Sequence, residues 1–496
     1  MSKRHRLQNY ILRRFEVTID SISARGWGQG TFLGEGERRI PAEVRGALPG
    51  DVVLAEGRGI DKGMIQAILV EILQSGYPRQ ASSCPHSCVR CDKDTGCGGC
   101  TLRECDYETQ CRIKRDILVS MLKQNGLDMP VDPILPCANQ AYYRNKMELS
   151  FGPDGADALG VGLHPSGFRF EVISMKHCDM LSPLLVELAQ KTEAWARELG
   201  LAYYRFRENA GFLRTLTLRH GKRTDAYMVI LTTSGESEVR MGDGSVRDAN
   251  DVVREYADRV LATLNPPIDS FYWTTVTPQK GRQTSIDDTL IFGSPVLRET
   301  MFMPDEAHAL HYEVLPHAFF QPNTLQAEKL YQVVLDMAAP HMTPNTPVLD
   351  LYCGTGTIAL SFARHGHRAV AIDIEKQAIE NARENARKNG LEDAISFYAG
   401  DTAEILRELL DGQANFDGFL LVVDPPRRGL LPPAYRQILR IRPDTLIYVS
   451  CNPESLAQDL ARFKVDGYNI CRIQPVDMLP QTAHLETVVL LSKRKC

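Results

Sequence analysis

The chain has 496 residues, too many for one hydrophobic core, and this length suggests about three domains. Hydrophobic residues at 43% and charged residues at 24% are ordinary for a soluble globular protein, and no apolar run approaches the ~20 residues that span a membrane. A net charge of −5 excludes nucleic-acid binding through bulk positive charge, while leaving room for a local basic patch.

Residues 1–14 carry Lys3, Arg4, Arg6, Arg13 and Arg14 and no acid, a basic tail suited either to phosphate contact or to simple solvation. No apolar stretch follows it, so it does not read as a secretory signal, and a reducing cytoplasmic location is the default expectation. Residues 15–75 read as short strands: Phe15-Glu-Val-Thr-Ile-Asp20 alternates, Ala24 to Thr31 is glycine-rich and reads as turns, and Asp51 opens another strand after Gly50. Five short strands in so little chain predict a small closed barrel. Residues 76–112 hold a cysteine cluster, with seven of the thirteen cysteines between Cys84 and Cys111. Clustering of this kind favours metal binding over a disulfide scaffold. Cys111 to Leu127 has helical spacing, with Ile113, Ile117, Leu118, Met121 and Leu122 on one side. From 130 to about 310 the pattern is mixed and strand-rich.

From about 315 strands and helices alternate. Val348–Leu351, Ala369–Ile372, Ile395–Tyr398, Gly418–Val423, Thr445–Ser450 and Thr487–Leu491 read as strands, with helices at Lys376–Asn389 and Ser455–Phe463. This is the pattern of a doubly wound α/β sheet. The expected organisation is therefore a basic tail at 1–14, a barrel at 15–75, a mixed α+β central domain at 76–315 and an α/β domain at 316–496.

Four motifs in the last domain carry chemistry. In Val348-Leu-Asp-Leu-Tyr-Cys-Gly-Thr-Gly-Thr357 a buried strand ends at a Gly-x-Gly turn, which lets the backbone approach a ligand closely. Asp373 ends the next strand, where a carboxylate can accept hydrogen bonds from both ribose hydroxyls. With no third glycine to cradle a pyrophosphate, S-adenosylmethionine fits better than a dinucleotide. Asp424-Pro-Pro-Arg-Arg-Gly429 stiffens a loop after another strand, with Asp424 and Arg427 able to fix a base edge. Ser450-Cys-Asn-Pro453 puts Cys451 at a strand end, where open α/β sheets bind ligands. His484-Leu-Glu486 supplies Glu486 as a base, with His484 on the same face if the segment is extended. An inert packed cysteine, a surface carboxylate and a structural histidine are the bland readings of each residue alone. One cysteine and one base are what carbon methylation of a pyrimidine needs, since thiolate addition at C6 activates C5 and the C5 proton must then leave.

Together these motifs resemble the RNA 5-methyluridine (uracil-C5) methyltransferase family over nearly the whole chain. The resemblance implies a class I (Rossmann-like) methyltransferase domain, an N-terminal TRAM-like barrel that binds RNA and a central domain. It implies Cys451 as nucleophile and Glu486 as base. It implies cofactor or substrate contacts at Gln321 (in Phe319-Phe-Gln-Pro-Asn323), Tyr352, Gly354, Thr357, Asp373 and Asp424. Thr357 departs from the asparagine often found there. The members acting on large ribosomal RNA often carry a [4Fe–4S] cluster held by Cys-x5-Cys-x2-Cys and a distant cysteine. Here Cys91, Cys97, Cys100 and Cys178 meet that pattern, with Cys84 as a rival to Cys91. Four thiolates alone suit zinc as well as iron–sulfur. The implied reaction is methylation of a flipped or single-stranded uridine in 23S ribosomal RNA by a monomer that contacts no membrane. The alternatives are transfer RNA as substrate, 5-methylcytosine formation using Pro136-Cys137, and a non-catalytic RNA-binding iron–sulfur protein.

Overall fold

The computed structural model describes residues 7–23, 25–87, 96–155, 158–165, 170–279 and 284–494. Strands β1 (Arg14–Ile22), β2 (Gly28–Leu33), β3 (Arg39–Arg45), β4 (Val52–Asp61) and β5 (Met64–Gln74) close into a barrel in the order β1-β2-β3-β5-β4. Alternate residues of β1 point inward, as a period of two requires, and Val17, Ile19, Val44, Val53 and Ile65 fill the interior. The glycine-rich stretch read as turns instead supplies β2. A side chain at Gly30 would stand 1.9 Å from the Thr18 carbonyl oxygen, so the neighbouring strand approaches too closely for anything but glycine.

The barrel is tied to the chain that follows. Asp51, fully buried, accepts hydrogen bonds from Leu48 N, Gly76 N and Arg79 Nη2 at 2.8, 2.8 and 2.5 Å, and Arg79 also pairs with Glu104. Ile22 and Leu48 of the barrel pack with Leu102, Cys105 and Ile113 in a small shared core.

Helix α1 (Tyr107–Gln124) is capped by the Asp106 carboxylate, which accepts from Thr109 N. Although it precedes the central domain in sequence, its Leu118 and Leu122 belong to a core formed with the C-terminal sheet. Next come β6 (Lys146–Asp154), β7 (Ala158–Leu163), β8 (Ile173–Ser174), α2 (Pro183–Glu198), β9 (Leu213–His220) and β10 (Tyr227–Ser234). A short hairpin of β11 (Glu238–Arg240) and β12 (Val246–Asp248) leads to α3 (Ala249–Arg259), β13 (Ser270–Thr277) and β14 (Ser285–Gly293). Seven of these strands form one sheet, β14-β13-β10-β9-β6-β7-β8, with only the β10–β13 pair parallel. One face packs on α2 and α3; the other joins a core with the β15 (Leu297–Phe302) and β16 (Ala309–Val314) hairpin and α4 (Thr324–Ala338).

The last part alternates as expected: β17 (Val348–Leu351), α5 (Thr357–Arg364), β18 (Ala369–Asp373), α6 (Lys376–Lys388), β19 (Ile395–Ala399), α7 (Thr402–Asp411), β20 (Leu420–Val423), α8 (Pro432–Ile441), β21 (Thr445–Ser450), α9 (Pro453–Val465), β22 (Asn469–Val476) and β23 (Glu486–Ser492). The sheet order is β19-β18-β17-β20-β21-β23-β22, with β23 alone antiparallel to its neighbours. Its central strands are buried on both faces, which explains their unbroken apolar runs. This is a class I methyltransferase sheet, preceded by a mixed α+β domain and a small barrel. No helix among the described residues is long and apolar enough to cross a membrane.

Candidate active site

The sheet register gathers the motifs. Leu351 pairs with Ile372 and with Val423, and Val423 pairs with Tyr448. Tyr352 and Asp424, just beyond their strands, and Asp373, the last residue of β18, therefore share the carboxyl edge of the sheet, where such folds bind ligands. Strand β23 runs antiparallel to β21 and their ladder ends with Ser450 opposite Thr487, so Cys451 and Glu486, the residues just past that pair, come to the same sheet edge, where the Glu486 carboxylate acts on the Cys451 thiol. Thirty-five positions of sequence are thus closed by strand pairing.

At the first loop Tyr352 and Gly354 both have left-handed backbone, φ +65° and +53°. A tyrosine there is uncommon and costs conformational energy that the surrounding structure must offset. Backbone N–H groups of Tyr352 and Cys353 both donate to Ile372 O, at 2.9 and 3.1 Å, and hold the turn. Asp373 accepts from Gly354 N at 2.8 Å through one carboxylate oxygen and from Glu375 N at 2.9 Å through the other. Nothing lies within 4 Å of where a Gly354 side chain would sit, so the turn faces open space. Asp350, fully buried, accepts from Ala359 N at 3.0 Å, and burial pushes its carboxyl well above the usual range. Thr357 is buried, and the phenols of Tyr312 and Tyr331 approach it. Gln321 lies in the loop before α4. That loop is held by the central domain: Asn145 Nδ2 donates to Gln321 O at 2.7 Å and to Thr324 Oγ1 at 2.9 Å, while Arg219 donates to Pro316 O at 2.9 Å and Ala318 O at 2.5 Å.

Cys451 lines a cleft with Arg427, Asn452, His484, Ser23 of the barrel, and Ile117 and Met121 of α1. Burial raises its thiol to about 12, with Glu486 and Asp424 adding to the rise and Arg427 opposing it. Burial likewise pushes the Glu486 carboxyl well above the carboxylate range, reinforced by Asp424, and lifts Asp424 to about 7. Three acids thus compete for few negative charges, so their ionisation is coupled. His484 does not extend β23. It sits in the preceding loop and borders the Cys451 cleft, where burial and nearby Arg427, Lys114 and Arg144 lower it to about 4 and leave the imidazole neutral. Asn452 caps α9 through Glu454 N at 3.2 Å and donates to Arg427 O at 2.7 Å, joining the Asp-Pro-Pro-Arg loop to the thiol loop.

Sequence reasoning missed Lys114 and Asp477. Both are fully buried and paired at 2.6 Å, and Tyr107 Oη donates to the same carboxylate at 2.7 Å. They pin α1 to the segment leading into His484 and Glu486. The signal was a lysine beside the apolar stripe of α1, which reads equally well as a solvated face. Cys137 is buried against Asn323 and Asn139 and does not line the Cys451 cleft, so Pro136-Cys137 offers no second active-site thiol.

Cys84, Cys97, Cys100 and Cys178 line a separate cavity with His86, Arg103 and His177. Burial raises Cys97, Cys178 and Cys100, the last to about 12, and neighbouring thiols add to each. Among the described residues no three donors gather closely enough for a single metal ion. Cys91 lies outside the described residues.

Residues 282–494 match the model of the tRNA (uracil-5-)-methyltransferase family. The chain is 31% identical to a protein described as an uncharacterized RNA methyltransferase from Caldanaerobacter subterraneus subsp. tengcongensis, over 96% of this chain and 98% of that one. A second, from Protochlamydia amoebophila, is 32% identical over 91% of this chain and 99% of its own. The Pyrococcus abyssi tRNA (uracil-54, C5)-methyltransferase, solved with S-adenosyl-L-homocysteine, covers 96% of this chain and 100% of its own with a TM-score of 0.67 at 24% identity, a likeness of fold. With the strand ends, the glycine turn and the thiol–carboxylate pair assembled as described, these matches establish that the chain is an RNA methyltransferase and belongs to the uracil-C5 RNA methyltransferase family.

Proposed function

We propose that the protein methylates C5 of a uridine in structured RNA, with 23S ribosomal RNA as substrate, using Cys451 as nucleophile and Glu486 as base. The observation that carries this reading is the closeness of Cys451 and Glu486, which follow the last β21–β23 pair at the sheet edge and act on one another electrostatically. Cys451 adds to C6 of the base and its electron pair generates an enolate carbon at C5. S-adenosylmethionine, when bound, supplies an electrophilic methyl group on a sulfonium centre. Once C5 bears both hydrogen and methyl, Glu486 removes the proton. The released pair re-forms the C5–C6 double bond and expels the thiolate. Glu486 must be ionised for that step, so one role of the RNA is to supply an environment in which the coupled acids share charge differently. Arg427, the cation that opposes the rise of the Cys451 thiol, favours the attacking thiolate.

The residues suited to hold the cofactor are Gln321, Tyr352, Gly354, Thr357, Asp373 and Asp424. The open space above Gly354 and the pre-oriented Asp373 carboxylate support this fit. A [4Fe–4S] cluster is the group best suited to the second cavity. Four cysteines around one cavity support a thiolate-bound group there, and the choice of iron–sulfur over zinc rests on the family resemblance. Cys97, Cys100 and Cys178 would be three ligands. Cys91, by its spacing, is the fourth, with Cys84, which lines the cavity, as its rival. The cluster's role here is to hold the central domain together, in a protein that works as a cytoplasmic monomer.

Incubation with RNA containing 5-fluorouridine and S-adenosylmethionine tests the mechanism. The wild type forms a denaturation-resistant adduct and Cys451→Ala forms none; an adduct in Cys451→Ala removes the thiol from the mechanism.

A further inference from the structure

The hairpin between α2 and β9 is locally basic. Tyr203-Tyr-Arg-Phe-Arg-Glu-Asn-Ala-Gly-Phe-Leu-Arg214 carries three arginines against one acid in a chain of net charge −5. Arg205 and Ala210 pair across its neck, Arg205 N donating to Ala210 O at 2.7 Å, and Tyr204 N donates to Leu213 O at 2.7 Å, so the tip is held on a fixed base. The tip presents Phe206, 77% exposed. Beside it the Arg207 guanidinium lies 5.1 Å over the ring of Phe170, itself 63% exposed, and Arg214 lies 4.0 Å over Tyr204. Phenylalanines left in water and flanked by arginines on a pinned hairpin bury nothing in the fold and contribute nothing to its core.

We propose that Phe206, Phe170 and Arg207, none of which lines the Cys451 cleft, form a second RNA contact on which unpaired bases stack while Arg207 meets the phosphates. A protein partner would also take exposed apolar rings. The arginines favour RNA, because alternating aromatic faces and guanidinium groups match the base and phosphate of single-stranded nucleic acid. The inference rests on RNA being the substrate, and it adds a surface that captures the strand flanking the target rather than the target itself.

The test uses the full chain and a fluorescein-labelled oligouridine of about 20 nucleotides, read by anisotropy across a salt series. Each lost stacking partner weakens binding about tenfold, so Phe206→Ala with Phe170→Ala raises Kd by about a hundredfold. Arg207→Ala lowers the slope of log affinity against log salt by about 0.7. Val465→Ala, at an 87% exposed position on α9, serves as the control and binds as wild type. All four side chains are exposed, so melting temperatures stay within about a degree or two of wild type. A double phenylalanine variant binding within about twofold of wild type overturns the proposal, as does an equal loss in Val465→Ala. Methyl transfer to 5-methyluridine-free RNA is measured in parallel. Transfer by the wild type with unchanged binding by the variants defeats the platform alone. Weakened binding by the variants with no wild-type transfer defeats the proposed reaction alone.

Discussion

Replacing Glu486 with Gln separates two effects of one carboxylate. The amide cannot accept a proton, and no hydrogen bond among the described residues depends on the Glu486 side chain, so the fold tolerates the change. Removing a positioned base slows its step by about 10²–10⁴-fold. Addition and methyl transfer come earlier, so the variant accumulates a Cys451–RNA adduct without any fluorinated base. The second effect is electrostatic. The Glu486 carboxylate acts on the Cys451 thiol just past the last β21–β23 pair, and side chains of neighbouring strands stand ~5 Å apart. Unit charges at that separation interact by ~0.8–3 kcal/mol for effective dielectric constants between about 80 and 20. That range brackets a tenfold change in thiolate fraction. In the absence of RNA, iodoacetamide therefore modifies Cys451 about tenfold faster in Glu486→Gln than in wild type. The difference has a pH signature. Burial and Asp424 keep Glu486 protonated well above the usual carboxylate range, so the two proteins react alike on the acid side and diverge on the alkaline side. Alkylation rates that coincide at every pH, together with normal turnover, would refute the pairing of thiol and carboxylate.

Asp424→Asn tests the buried carboxyl. A folded pKa of about 7, raised from 3.8, means the acid contributes its stability at low pH and loses it as pH rises through 7. The variant therefore gains on wild type between about pH 4 and pH 8, by at most about 4 kcal/mol, and a parallel pair of melting curves in that window would contradict the burial argument. Ser substitution of Cys97, Cys100, Cys178 or Cys91 abolishes bound iron and sulfide after anaerobic purification, and loss in Cys84→Ser with retention in Cys91→Ser would hand the fourth position to Cys84; zinc without sulfide in the wild type would overturn the cluster. Asn145→Ala frees the loop carrying Gln321 by removing two hydrogen bonds, and weakens S-adenosylhomocysteine binding by about tenfold in calorimetry while adduct-forming capacity of Cys451 at saturating cofactor persists.

The alternating part of the chain was legible because its strands are buried on both sides and read as apolar runs, although the helix read at Ser455–Phe463 starts earlier, at Pro453, where Asn452 caps it. The barrel was legible from alternation, yet Gly28 to Gly30 read as turn because a close strand crossing demands glycine for reasons no local pattern reveals. His484 and Glu486 were read as one extended face; Glu486 begins β23 while His484 turns into the thiol cleft. Helix α1 was visible by its periodicity, but its attachment to the C-terminal core was not. That attachment depends on Lys114 meeting Asp477, a pairing across 363 positions. Asn145 and Arg219 escaped for the same reason: they act on backbone carbonyls of a distant loop, and nothing in their own sequence neighbourhood announces that partner.

The central claim is tested most directly by transfer of labelled methyl from S-adenosylmethionine to RNA lacking 5-methyluridine, with ribosomal and transfer fractions separated and digested to nucleosides. The account predicts label in 5-methyluridine from the 23S fraction, absent with Cys451→Ala. Label confined to transfer RNA would contradict the substrate, and label in any nucleoside other than 5-methyluridine would contradict the chemistry.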